Sequence, residues 1–125
     1  MNIRKFAIVL SLLAVLLTGT VLSAGAQTPM HPSGFRVAYA SGITKASLHV
    51  LDNLNRPVAG AKVQISFEKE GAPQIFRTAM TGAMGGVRFS AALPAGSWRV
   101  CVEEIHKLGY SYNPASNLCS TVRVR

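Results

Sequence analysis

From Lys45 onward, apolar and polar residues alternate with a period of two. Ala46, Leu48 and Val50 alternate with Ser47, His49 and Leu51, as in a half-buried strand. Asp52-Asn53-Leu54-Asn55-Arg56-Pro57 breaks the pattern. Asp and Asn side chains bond nearby backbone and Pro fixes φ, so this is a turn. Ala61, Val63, Ile65 and Phe67 then face one way, and Lys62, Gln64, Ser66 and Glu68 the other. Further strands follow over Gln74–Met80, on Val87, Phe89 and Ala91, on Trp98, Val100 and Val102, and on Val122 and Val124. The turns between them are Glu70-Gly71-Ala72-Pro73, Gly82–Gly86 and Leu93-Pro94-Ala95-Gly96. Upstream, Phe35, Val37 and Tyr39 alternate as a short strand after Gln27–Gly34, which is rich in Pro and Gly and reads as a flexible lead-in.

Nothing after Ala26 carries a helical period. Short strands at this turn spacing predict an all-β antiparallel sandwich of about seven strands over residues 45–125, with residues 27–44 leading in. The expected core is Leu48, Val50, Val63, Ile65, Phe67, Val87, Phe89, Trp98, Val100, Val102 and Val122. Trp98 alternates with Val100 and Val102, which favours a core position over a surface one.

The first residues follow a different logic. Arg4 and Lys5 precede an apolar run over Phe6–Leu22, and Ala24-Gly25-Ala26 offers a small-residue cleavage site. Residues 1–26 are expected to be a signal peptide cleaved after Ala26. An uncleaved anchor is the alternative, because the run approaches the length that spans a bilayer. The mature chain is then secreted or periplasmic, Gln27–Arg125, with no membrane span. The whole chain has 13 basic and 5 acidic side chains, for a net charge of +8; losing Arg4 and Lys5 leaves +6. That charge favours an anionic surface such as lipopolysaccharide, lipid headgroups or nucleic acid. Its dispersal along the chain equally suits a solvated surface, and no sequence-specific nucleic-acid contact is expected.

Cys101 and Cys119 are an even pair in an exported chain and read as a disulfide. Two cysteines do not complete a zinc site, and His31, His49 and His106 show no ligand spacing, so neither metal nor cofactor is expected. Trp98, Val100 and Val102 point inward, which sends Cys101 outward with Arg99 and Glu103. Val122 and Val124 point inward, which sends Cys119 outward with Thr121 and Arg123. Pairing Cys101 with Cys119 sets Val100 opposite Ser120 and Trp98 opposite Val122. Every inward residue then keeps an inward partner, and a one-residue slip breaks this. The long hairpin loop Ile105–Asn117 holds His106, Lys107, Tyr110, Tyr112 and Asn113, the candidate binding residues. Alternatively, one tyrosine folds back over the sandwich edge as a corner residue.

Val50-Leu51-Asp52-Asn53 with Pro57-Val58-Ala59-Gly60-Ala61-Lys62-Val63 resembles the opening of bacterial immunoglobulin-like and carboxypeptidase-regulatory-like (transthyretin-like) modules. Leu93–Val100 resembles their late turn and strand, and Tyr110–Asn117 their final hairpin. The resemblance covers about Ala46–Val124 and implies an immunoglobulin-like sandwich acting as a secreted accessory, adhesive or interaction module. It transfers no catalytic residue. Two departures stand out: no enzyme is attached, and Thr81–Gly86 lacks the carboxylates a calcium site would need.

An enzyme finds little to work with. Asp52 is the single Asp and sits in a turn, and Glu103 and Glu104, as strand neighbours, should face opposite sides. The expected function is non-enzymatic binding, adhesion or accessory action on an extracellular or envelope protein or polymer. The alternatives are a structural envelope protein that adds a strand to its partner and, last, a small secreted hydrolase.

Overall fold

Alternating inward and outward side chains set the frame of this computed structural model, which describes residues 26–125. The signal-peptide reading lies outside the described residues but for Ala26. The strands are β1 (Thr28–Ala40), β2 (Ile43–Asp52), β3 (Lys62–Glu68), β4 (Ile75–Met80), β5 (Gly86–Ala91), β6 (Gly96–His106), β7 (Tyr110–Tyr112) and β8 (Cys119–Val124). One 3-10 turn, Pro114–Ser116, precedes β8. One sheet runs β5-β2-β1-β7 and the other β4-β3-β6-β8. All neighbours are antiparallel except β7, which lies parallel to β1.

The inward faces of the two sheets form the core of a β-sandwich. Ten of the eleven expected core residues are buried, from Leu48 to Val102. Val122 is half-buried and packs against the cluster, since β8 is an edge strand with a neighbour on one side only. Trp98 is 1% exposed, and its indole N–H donates to the Pro94 carbonyl at 2.8 Å, which satisfies the one polar group it brings inside. The β6–β8 register pairs Cys101 with Cys119, Val100 with Ser120 and Trp98 with Val122, as the alternation predicts, and the disulfide closes it.

Two expectations need correcting. Gln27–Gly34 is not a flexible lead-in, because Thr28–Ala40 is one long strand, paired with β2 along most of its length and with β7 at Thr28–Met30. Pro32 is tolerated in it for a geometric reason. Val50, opposite Pro32, spends its N–H on Gly85 and its carbonyl on Val58, both away from β1. Pro32 therefore sits where β2 asks for no N–H, and the lost donor faces the open edge. Gly34, with φ of 61°, makes the bulge that returns Phe35, Val37 and Tyr39 to the inward face.

The second correction concerns Glu103 and Glu104. The β3–β6 register passes from Gln64–Glu104 to Ile65–Val102, leaving Glu103 as an extra residue in a bulge. Glu104 shares the outward face with Gln64. The Glu103 carboxylate accepts from the hydroxyl of Ser66, another outward position, at 2.5 Å. The bulge turns both carboxylates to one face, where strict alternation would have separated them.

Candidate functional site

The Ile105–Asn117 segment is less of a free loop than its length suggests. β6 continues to His106, a turn at Leu108-Gly109 follows, and Tyr110–Tyr112 joins the first sheet beside Thr28–Met30. The Lys107 ammonium donates to the Ala59 carbonyl and lies 5.1 Å from the centre of the Tyr110 ring. Asn113 accepts from the Ala115 N–H at 3.0 Å and caps the 3-10 turn. Tyr112 is half-buried. Burial pushes its phenol above the ordinary value; the nearby Ser116 hydroxyl opposes this and the Glu103 carboxylate adds to it. The Tyr112 hydroxyl is buried without a hydrogen-bond partner, and the Ser116 hydroxyl donates instead to the Asn113 carbonyl at 2.7 Å. Of the five candidate residues, Asn113 is exposed at the 3-10 turn and His106 is exposed at the end of β6. His106 lines a shallow depression of about 320 Å³ with Lys62, Gln64, Thr78 and Glu104 on the outer face of the second sheet.

On that same face, carboxylate oxygens of Glu68 and Glu103 lie within 4.8 Å of the Cys101 sulfur. The sulfur is committed to the disulfide, which leaves two carboxylates and no third ligand there. Asp52 is also committed. Its Oδ1 accepts from the Leu54 and Arg56 N–H groups and its Oδ2 from the Arg56 guanidinium, each at 2.9 Å. The Arg56 backbone N–H in particular holds the carboxyl below its usual range, against the opposing effect of burial.

The outer face of the first sheet has a different character. Register places Arg36 of β1, Ser47 of β2 and Arg88 of β5 on one cross-strand row, with Ala38, Lys45 and Ser90 on the next. His49 and His31 extend the face toward the other end of β2 and β1. No Asp or Glu lies on these outward positions. Among the described residues the only ion pair is Arg56–Asp52, so Arg36, Lys45 and Arg88 are exposed and unpaired. Strands lie about 4.8 Å apart, which puts the Arg36 and Arg88 backbones about 10 Å apart, with Lys45 on the strand between them in the adjacent row. These residues are far apart in sequence, and only pairing register gathers them. The available signal was their shared outward parity on neighbouring strands.

No protein-family model matches the chain, and neither a characterised protein nor a solved structure matches it.

Proposed function

We propose that the chain is an exported, non-enzymatic binding or accessory module of the immunoglobulin-like (transthyretin-like) kind, acting on an anionic partner at the cell envelope or outside the cell. The observation that carries this reading is the outer face of the β5-β2-β1-β7 sheet, where Arg36, Lys45 and Arg88 converge with no carboxylate among them. A face of one sign attracts and orients an anionic surface over distances set by salt. The commitment of Asp52 to its turn supports the non-enzymatic part.

The test is retention of the exported protein on an anionic polysaccharide matrix across a salt gradient, beside the triple variant Arg36→Ser/Lys45→Ser/Arg88→Ser. Each cation near an anionic surface contributes about 1 kcal/mol. The variant should elute at distinctly lower salt with unchanged circular dichroism. Coincident elution would defeat the assignment of this face.

A second reading, strand addition by a protein partner, has its own support. From His31 to Ala40, β1 pairs only with β2, and no strand continues the β7 ladder beyond Tyr112, although β8 runs close by and the Tyr39 hydroxyl donates to the Arg125 carbonyl at 2.9 Å. Inward-facing Phe35, Val37 and Tyr39, and Leu118 and Val122 beside them, are half-buried along that side. The opposite side carries Arg77 at an inward position of edge strand β4, a charge that discourages pairing. A partner strand on β1 would be lost with Val37→Lys and kept in high salt.

A further inference from the structure

Three chain connections meet at one end of the sandwich: residues 53–61, 81–85 and 107–109. Register fixes this placement, since Asp52 pairs with Met30, Lys62 with both Met80 and His106, His49 with Gly86, and Thr28 with Tyr110. The connections are bound to one another. The Thr81 hydroxyl donates to the Val58 carbonyl at 2.6 Å and accepts from the Ala61 N–H at 2.9 Å. Gly85, with φ of 77°, packs against Val50 and Val58, and Lys107 reaches the Ala59 carbonyl.

Each of these connections sends out one large apolar side chain. Leu54 is 65% exposed, Met84 73% and Leu108 91%. Met80, also exposed, sits at the same end of β4. The connections at the opposite end, residues 41–42, 69–74 and 92–95, expose no large hydrophobic residue, and only Phe76 near the start of β4 is exposed beside them. Solitary exposed apolar residues need no explanation, but one on each of three mutually braced loops forms a tripod. Three basic side chains lie at this end: Lys62 is exposed on β3, Arg56 is paired with Asp52, and Lys107 keeps its charge while donating to the Ala59 carbonyl. Of the carboxylates, Asp52 is held by Arg56, and Glu104 faces out from the second sheet beside His106. The described chain also enters the domain at this end, at Thr28.

We propose that this end docks on an anionic lipid bilayer, with Leu54, Met84 and Leu108 seated at the boundary of headgroups and acyl chains and the flanking cations on lipid phosphates. Apolar insertion and headgroup attraction are the two contributions that hold peripheral proteins at interfaces, and here they are combined on one rigid end. The proposal rests on the anion-binding reading above but uses a different surface of the domain.

The experiment is co-sedimentation of the exported protein with vesicles of phosphatidylcholine, with and without phosphatidylglycerol. Binding is expected to the phosphatidylglycerol vesicles and to fall with salt. Leu54→Ser/Met84→Ser/Leu108→Ser should weaken it by about a thousandfold, each buried apolar side chain being worth about tenfold. All three positions are exposed, so the variant should melt like the parent. Lys62→Ser should weaken binding about fivefold. Equal binding by parent and tripod variant would overturn the proposal, as would a parent that ignores both vesicles. If that parent is still retained on the anionic matrix through Arg36, Lys45 and Arg88, the binding-module reading stands and only the bilayer assignment falls.

Discussion

A carboxylate, a phenol and a glycine show how single residues are used. Asp52 shapes the turn after β2 with three hydrogen bonds, and its pKa is lowered, chiefly by the Arg56 N–H. A lowered carboxyl pKa stabilises the fold above the unfolded value of about 3.9 and loses that contribution as pH falls through the folded value. Asp52→Asn should therefore flatten the acid limb of a plot of Tm against pH and lower Tm at neutral pH. Tyr112 runs the other way. Its pKa is raised, so its contribution is intact below the unfolded value of about 10 and lost as pH climbs through the folded one. Because its hydroxyl is buried and unpartnered, Tyr112→Phe should stabilise by about 1 kcal/mol in urea melts and soften the alkaline loss. A lower urea midpoint would show that the hydroxyl has a partner after all. Gly85 is the contrary case. A Cβ there would lie 2.7 Å from the Val50 carbonyl oxygen at positive φ, so Gly85→Ala should cost more than the roughly 1–2 kcal/mol of the backbone conformation alone.

At the level of elements, β8 is an edge strand held by β6 on one side and by the Cys101–Cys119 disulfide. The 18-residue separation predicts a stabilisation of about 3 kcal/mol by loop closure. Cys101→Ser/Cys119→Ser should shift the urea midpoint accordingly, and alkylation of the unreduced protein should find no free thiol. The cysteine register was legible in the sequence because Val122, Trp98 and Val100 each had to stay inward, and a slip of one would have exposed them all. The two bulges were not legible. Nothing in Ser97–His106 distinguishes Glu103 as the extra residue, because the bulge is a relation between β6 and β3. The same holds for β1. Its prolines argue against a strand until the partner is known, and the partner turns out to ask nothing of Pro32.

On the scale of the whole molecule, the sandwich separates charge and apolarity that are mixed along the chain. One outer face is purely basic, the other carries both signs, and one end bears the exposed Leu54, Met84 and Leu108. The domain should bind anionic surfaces in a salt-dependent way, since exposed cations are screened beyond about 10 Å at 0.1 M salt. Affinity unchanged by salt in the gradient experiment would instead favour strand addition at β1.

Strand periodicity and turn chemistry are local, and they determined the all-β architecture, ten of the buried core positions, the Trp98 interior and the final disulfide register. The candidate loop was chosen for its length and its tyrosines. Two of its residues proved to be tied to the body of the domain, because Lys107 and Tyr110 meet Ala59 and Thr28, which are distant in sequence. The convergence of Arg36, Lys45 and Arg88, and of the three loop tips, was likewise decided only by tertiary structure. Alternation assigns each side chain to a face of its own strand, whereas neighbours across strands are set by pairing between segments tens of residues apart.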